Sequence, residues 1–163
     1  MSEHTIIPVH PQSAEYSLLT PSQLQAMTRR AERDPDGFWL DQAERIHWHS
    51  NPTRAFCGSF QDDVEINWYH DGTLNASVSC IDSHLGDRAD QVALISHRDG
   101  TDEAEKLTYR MLHERVCRLA NALQHLGVSR GDRVAISLPM VSEAPIAMLA
   151  CARIGAVHVV LFG

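Results

Sequence analysis

Hydrophobic residues recur at steps of three and four between residues 108 and 126, which is the spacing of one face of an α-helix. Thr108 stands where an N-cap residue is expected, and Gly127 stands where helices commonly end. The pattern predicts an amphipathic helix with one apolar side turned towards a core. Its apolar positions are Leu112, Val116, Leu119, Ala120, Leu123 and Leu126.

Two short apolar runs flank a second predicted helix further along the chain. Residues 134–138 form the first run, and residues 157–162 form a nearly continuous one that is typical of a strand buried on both faces. Between them Ser142 is positioned to cap a helix, Pro145 lies in its first turn and Gly155 ends it. Strand, helix and strand in this order predict a parallel sheet, so the expected fold class is α/β.

The preceding part of the chain is predicted to be mostly helix and coil. Thr20 and Asp34, each followed by proline, carry the start signals of two helices, and Asn75 is expected to cap a third that runs through Leu85. Residues 50–63 show no period and are predicted to run as an ordered coil. Short strands are expected at residues 92–95 and around Leu107. We therefore expect an incomplete parallel sheet with flanking helices, preceded by a mostly helical and coil N-terminal extension.

The charge balance narrows the classes of partner. The chain has 21 acidic and 14 basic residues and a net charge of −7, with the basic residues scattered along it. A nucleic-acid-binding or anionic-membrane-binding protein would need a basic patch, so neither partner is expected. Four widely spaced cysteines and an N-terminus without a signal peptide indicate reduced thiols and a cytoplasmic location.

The stretch from residue 144 to residue 163 is mostly apolar and long enough to suggest a membrane helix. Pro145, Arg153, Gly155 and His158 interrupt it, and its two halves differ in character. A buried helix followed by a buried strand explains it better, and the open face of that strand suggests that the chain is the front part of a larger protein.

No motif for catalysis stands out in these residues. The sequence has no phosphate-binding loop ending in Lys-Ser or Lys-Thr and no G-x-G-x-x-G. Residues 127–131 (GVSRG) lie between a predicted helix end and a strand start, whereas a nucleophile elbow joins a strand to a following helix, so no catalytic residue is predicted on this chain. Cys80 with His84, and His113 with Cys117, each lie four residues apart on predicted helices and would together complete a zinc site. Nothing brings the two helices face to face, so no metal ligand is predicted.

Three longer strings carry a specific resemblance. Residues 67–75 (NWYHDGTLN), 108–121 (TYRMLHERVCRLAN) and above all 148–158 (MLACARIGAVH) resemble the AMP-forming acetyl-CoA synthetases, which belong to the adenylate-forming ligases. Residues 34–39 (DPDGFW) resemble the N-terminal extension of acetyl- and propionyl-type members. The resemblance implies that residues 1–90 are this extension and that residues 91–163 begin the large AMP-binding domain.

The resemblance also implies a two-step reaction. Acetate attacks the α-phosphate of Mg²⁺·ATP to give acetyl-adenylate and diphosphate, and CoA then displaces AMP. The phosphate loop, the ribose-binding acid and the catalytic lysine lie downstream in the family, and the single lysine of this chain, Lys106, matches none of them. We therefore expect this chain to be an inactive part of a ligase and to bind no cofactor tightly by itself. ATP, CoA and acetate are the expected substrates of the whole enzyme, and Mg²⁺ is its expected metal ion.

One edge of a binding pocket is expected on this chain. The last predicted strand of this chain ends in Phe162 and Gly163. In the family the corresponding strand borders the CoA pocket, so the resemblance assigns these two residues to the edge of that pocket. A plain strand end followed by a turn is the alternative. Val159 departs from the family, which usually has serine there.

Other functions stay open on the sequence alone. A short CoA-binding module and a partner of a ligase subunit are two alternatives. A propionyl-CoA synthetase is a further alternative, which the string DGTLN disfavours.

Overall fold

The structure is a computed structural model that describes residues 9–61, 64–97, 100 and 104–161. Within these ranges the chain forms six α-helices, six strands and one 3-10 turn, as the α/β expectation requires. The helices are α1 (Pro11–Glu15), α2 (Pro21–Arg33), α3 (Pro35–Ala43), α4 (Ala76–Cys80), α5 (Tyr109–His125) and α6 (Glu143–Ile154). The strands are β1 (Phe56–Ser59), β2 (Glu65–Trp68), β3 (Val92–His97), β4 (Ala104–Thr108), β5 (Arg133–Ile136) and β6 (Val157–Val160).

Side-chain caps begin most of the longer helices where the sequence predicts them. Thr20 forms a capping box with Gln23 at the start of α2, and the Asp34 carboxylate accepts from the Gly37 N–H at the start of α3. Thr108 Oγ1 accepts from the Met111 N–H at the start of α5. These starts are confirmed because a cap depends only on residues within one turn.

The helix expected from Asn75 to Leu85 is shorter than predicted. Asn75 caps α4 as expected, but the helix ends at Cys80 and continues as a 3-10 turn over Asp82–His84. Ile81 lies between them with non-helical dihedral angles, and its side chain is completely buried. The prediction of one continuous helix is wrong because burial of Ile81 in the core prevails over the local helical pattern.

The strands pair in three two-stranded sheets. β1 and β2 are antiparallel, β3 and β4 are antiparallel, and β5 and β6 are parallel with Arg133 opposite Val157 and Ile136 opposite Val160. The parallel pairing expected from the strand–helix–strand order is therefore present as the β5–β6 pair. Residues 50–63 do not run as coil throughout: residues 56–59 form β1, because they find a partner in β2.

The hydrophobic core lies around α5 and α6. α5 packs on α6 and on the β3–β4 hairpin, and Ile81 reaches the same cluster from the segment after α4. The buried members are Ile81, Leu107, Leu112, Val116, Ala120, Ile146 and Ala150. Burying these side chains supplies the main stabilisation of the fold.

A separate aromatic cluster holds α3 against the β1–β2 hairpin. Trp39 meets Phe38 and Trp68 edge to face, with ring centroids 5.2 and 5.8 Å apart. The Tyr69 hydroxyl donates a hydrogen bond of 2.8 Å to the carbonyl oxygen of Trp39.

Among the described helices, none combines the length and the apolar character that a bilayer crossing requires.

Candidate functional site

The carboxyl edge of the β5–β6 pair is where an open parallel sheet offers a ligand site. Because the two strands run in the same direction, the loop after β5 lies beside the residue after β6, and the Leu161 N–H donates to the Ile136 carbonyl at 2.9 Å. Ser137, Leu138, Pro139 and Leu161 line a small cleft of about 390 Å³ there.

The two residues assigned to the CoA-pocket edge follow Leu161 in the chain. Phe162 and Gly163 lie outside the described residues, so their assignment stays a prediction. What the structure describes is the strand that leads to them and the cleft beside its end.

The helix between β5 and β6 is anchored at its amino end by a side-chain hydrogen bond. Ser142 occupies the N-cap position of α6 but makes no capping bond. Its hydroxyl, which is buried, instead donates to Glu105 Oε2 on β4 at 2.7 Å, and Arg115 of α5 donates to Glu105 Oε1 at 2.8 Å. Ser142 therefore ties α6 to β4 and α5, a role that its sequence position does not reveal.

Asn75 anchors the carboxyl end of the same helix. Its Oδ1 accepts from the backbone N–H groups of Ser77 and Val78, which caps α4. Its Nδ2 donates to the carbonyl oxygens of Ala152 and Arg153 at 3.1 and 3.0 Å, at the end of α6. One amide thus bonds backbone groups at the ends of two helices, and it links α4 to α6.

A half-buried ion pair lies beside this amide. Arg153 of α6 binds Asp82 with both guanidinium ends, Nη1 to Oδ2 at 2.8 Å and Nη2 to Oδ1 at 2.7 Å. Nη1 also reaches Ser77 Oγ at 3.3 Å. The two hydrogen bonds from Arg153, together with its charge and that of His113, hold the pKa of Asp82 below its usual value against the opposing effect of burial.

His113 and Cys117 border this pair without forming a catalytic triad. The Cys117 Sγ, the Arg153 Nη2 and the Asp82 Oδ1 lie 3.4, 3.3 and 3.5 Å from the same atom, His113 Nε2. In a triad the nucleophile and the acid face opposite ring nitrogens.

The two Cys/His pairs do not combine into a metal site. In the part of the chain that the structure describes, no three His, Cys, Asp or Glu side chains are arranged to hold a metal ion. Cys80 is exposed, and the His84 ring packs on Tyr109 at a centroid distance of 4.8 Å. Beside His113 and Cys117 the Arg153 guanidinium fills the space that a cation would need.

The ion pair predicts a pH dependence of stability. The pKa of Asp82 is lowered in the folded chain. The stabilisation that the ionised Asp82 contributes is therefore complete above its pKa in the unfolded chain, about 3.9, and it is lost as the pH falls through the lowered pKa of the folded chain. We expect the difference in free energy of unfolding between wild type and Asp82→Asn to be largest near neutral pH and to shrink below about pH 4. Denaturant titrations at several pH values measure it.

The matched control for this titration is Asp90→Asn. Asp90 pairs with Arg110 on the surface, where its side chain is 86% exposed, so its loss is expected to change little at any pH. A wild-type advantage over Asp82→Asn that stays constant down to pH 3 would contradict the assignment.

The sequence predicts the local contact of Asn75 but neither its distant bond to α6 nor the partner of Arg153. The cap of Asn75 on α4 is a local signal, whereas its bond to Ala152 joins residues 77 positions apart. In the sequence Arg153 is an interruption of an apolar stretch, and the chain does not reveal in advance that Asp82 is its partner. An arginine in an otherwise apolar predicted helix is the one available signal that a carboxylate lies opposite it.

Comparisons with known proteins agree along the whole chain. Residues 24–80 match the family model described as acetyl-coenzyme A synthetase N-terminus, and residues 81–163 match the AMP-binding enzyme model. Acetyl-coenzyme A synthetase 1 of Pseudomonas aeruginosa is 46% identical, and the acetyl-coenzyme A synthetase of Shewanella amazonensis is 48% identical, each over all of this chain. The chain spans 25% of the length of each of them.

A solved structure has the same architecture. Acetoacetyl-CoA synthetase from Streptomyces lividans superposes with a TM-score of 0.72 and 27% sequence identity. The match covers 92% of this chain and 23% of that protein.

Proposed function

Since the chain belongs to the AMP-binding enzyme family, we propose that it supplies the amino-terminal framework of an AMP-forming acetate–CoA ligase. That enzyme would join acetate to CoA with ATP through acetyl-adenylate, releasing AMP and diphosphate. The observation that carries the proposal is the succession of two family matches over residues 24–163, with acetyl-CoA synthetases similar to the whole chain.

The chain's own contribution would be to hold a sheet edge in place. Ser142 fixes one end of α6 to Glu105, and Asn75 fixes the other end to α4. Since α6 packs against β5 and β6, these two contacts position the strands whose ends form the cleft at Leu161. We propose that Phe162 and Gly163, which follow, border the CoA pocket of the whole enzyme.

The described residues offer no site for Mg²⁺. They contain no cluster of carboxylates arranged for a cation, and the single lysine, Lys106, is exposed on β4. No step of the reaction is therefore assigned to them. ATP, CoA and Mg²⁺ are proposed for the whole enzyme, where they would supply the activated phosphate, the acyl acceptor and charge neutralisation.

The other candidate functions have less support. A free-standing CoA-binding or ligase-partner module is not favoured, because the relatives are acetyl-CoA synthetases over the full length of this chain. Acetate as the acyl substrate, rather than propionate, rests on the same relatives. On the same basis we propose that its partners are small-molecule substrates and that it has no nucleic-acid partner.

Location and domain division are proposals as well. All four cysteines are free, which supports a reducing compartment such as the cytoplasm. The division between residues 90 and 91 remains a prediction, and the two family models meet between residues 80 and 81.

A chimera tests the framework function. The first part of the Pseudomonas aeruginosa enzyme, which is 46% identical over 164 aligned residues, would be replaced by this chain. We expect the chimera to catalyse acetate-dependent ATP–diphosphate exchange, and the purified chain alone to show none above background.

Two controls sharpen this experiment. The Pseudomonas enzyme lacking the replaced part is expected to be inactive, and the unaltered enzyme sets the reference rate. A folded chimera without exchange activity, or clear exchange by the isolated chain, would contradict the proposal.

A further inference from the structure

A second cleft opens at the other end of the β6 strand, beside the end of α6. It has a volume of about 720 Å³, within the range of small-molecule sites. The end of α6, the turn before β5 and two segments of the N-terminal part surround it. The side chains that matter for its chemistry are His47, Trp48, His49, Asn75, Arg130 and Arg153.

The lining of this cleft is basic although the chain is acidic. Neither Asp nor Glu occurs among its lining residues, whereas the whole chain carries a net charge of −7. Arg153 is neutralised by Asp82. The side chains of His47, His49 and Arg130 make no hydrogen bond or ion pair with any other residue in the described ranges, so three nitrogen-bearing groups face one cavity uncommitted.

Arg130 is held at the cleft by its aliphatic stem. A Cβ placed on Gly155 would lie 3.0 Å from Arg130 Cγ, so the stem packs directly on the glycine backbone. The neighbouring Gly131 N–H donates to the Gly155 carbonyl at 2.9 Å, which fixes the turn that carries Arg130. A held stem lowers the entropy that an arginine loses when its head binds a ligand.

The carboxyl end of a helix normally disfavours an anion, because the carbonyl groups of its last turn carry partial negative charge. In this chain Asn75 Nδ2 donates to two of those carbonyls, on Ala152 and Arg153. The amide therefore screens the negative end of α6 where it borders the cleft.

We propose that this cleft binds a phosphate group, free or carried by a small organic molecule, with Arg130 as its main charge partner. The planar guanidinium matches two phosphate oxygens, and the imidazoles of His47 and His49 add N–H donors. Trp48 provides an apolar wall for a carrier molecule. The proposal stands independently of the ligase function, since it rests on the cleft alone.

Titration of this chain with orthophosphate and with ribose 5-phosphate, in chloride buffer at constant ionic strength, tests the proposal by calorimetry. We expect saturable binding of at least one probe and about tenfold weaker binding by Arg130→Gln, as loss of one charge-assisted contact implies. Tighter binding of ribose 5-phosphate identifies a carried phosphate, and tighter binding of orthophosphate identifies the free ion.

Arg29→Gln is the matched control, because Arg29 is exposed on α2, makes no side-chain bond within the described ranges and does not line the cleft. It is expected to bind as the wild type does, and circular dichroism checks that both variants are folded. Absence of saturable binding, or equal weakening by both variants, overturns the proposal. Nuclear magnetic resonance locates the bound probe through the backbone amide signals that shift on titration. Shifts confined to amides far from residues 47–49, 130 and 155 overturn the proposal as well.

Discussion

Replacing Asn75 by Asp is expected to lower the free energy of unfolding by about 2–3 kcal/mol. The carboxylate still accepts from Ser77 and Val78, so the cap on α4 is retained. It cannot donate to the carbonyls of Ala152 and Arg153, and it sets a negative charge against the negative end of α6. Loss of two hydrogen bonds and this repulsion add in the same direction. Urea titration followed by circular dichroism measures the change.

The matched control for this substitution is Asn121→Asp. Asn121 is exposed on α5 and makes no side-chain bond within the described ranges, so the same change of charge is expected to shift stability by less than about 0.5 kcal/mol. If the two variants are destabilised equally, the bonds from Asn75 to α6 do not hold α4 and α6 together.

Replacing Arg153 by Met is expected to destabilise the fold by about 2 kcal/mol, below the 3–5 kcal/mol typical of fully buried pairs. The Asp82 carboxylate, only 27% exposed, then loses both guanidinium hydrogen bonds and keeps its charge beside His113. The methionine retains most of the aliphatic volume, so the loss reports on charge and hydrogen bonding more than on packing.

A double-mutant cycle isolates the pair itself. Asp82→Asn combined with Arg153→Met is expected to be less destabilised than the sum of the single variants, because the second change removes the charge that the first one stranded. Arg110→Met, which breaks the exposed pair with Asp90, serves as the control and is expected to change stability by less than about 1 kcal/mol. Strict additivity in the Asp82–Arg153 cycle would show that the two residues do not act together.

Helix starts and ends are predictable because their signals are local. Thr20, Asp34 and Thr108 cap helices through bonds to residues three positions away, and Gly155 ends α6 with a positive φ of 75°. A left-handed backbone at a helix end favours glycine, so this signal too is contained in the residue itself.

Features that depend on a distant partner escape prediction from the sequence. β1 exists because residues 56–59 pair with β2, and the pattern of residues 50–63 holds no information about that pairing. The apolar face of α2 follows from its period, yet none of its residues is buried, and Leu24 is 57% exposed. Periodicity shows which residues share a face and leaves open what covers it.

The amino-acid sequence alone determined the family, the α/β class, most helix starts and the parallel β5–β6 arrangement, since each depends on strings or periods within a few turns. Only the tertiary structure decided that Asn75 bridges α4 and α6, that Ser142 bonds Glu105, and that Arg153 pairs with Asp82 across 71 positions. The physical reason is that a hydrogen bond needs its two atoms within about 3 Å. For groups far apart along the chain, packing of the core alone brings them to that distance.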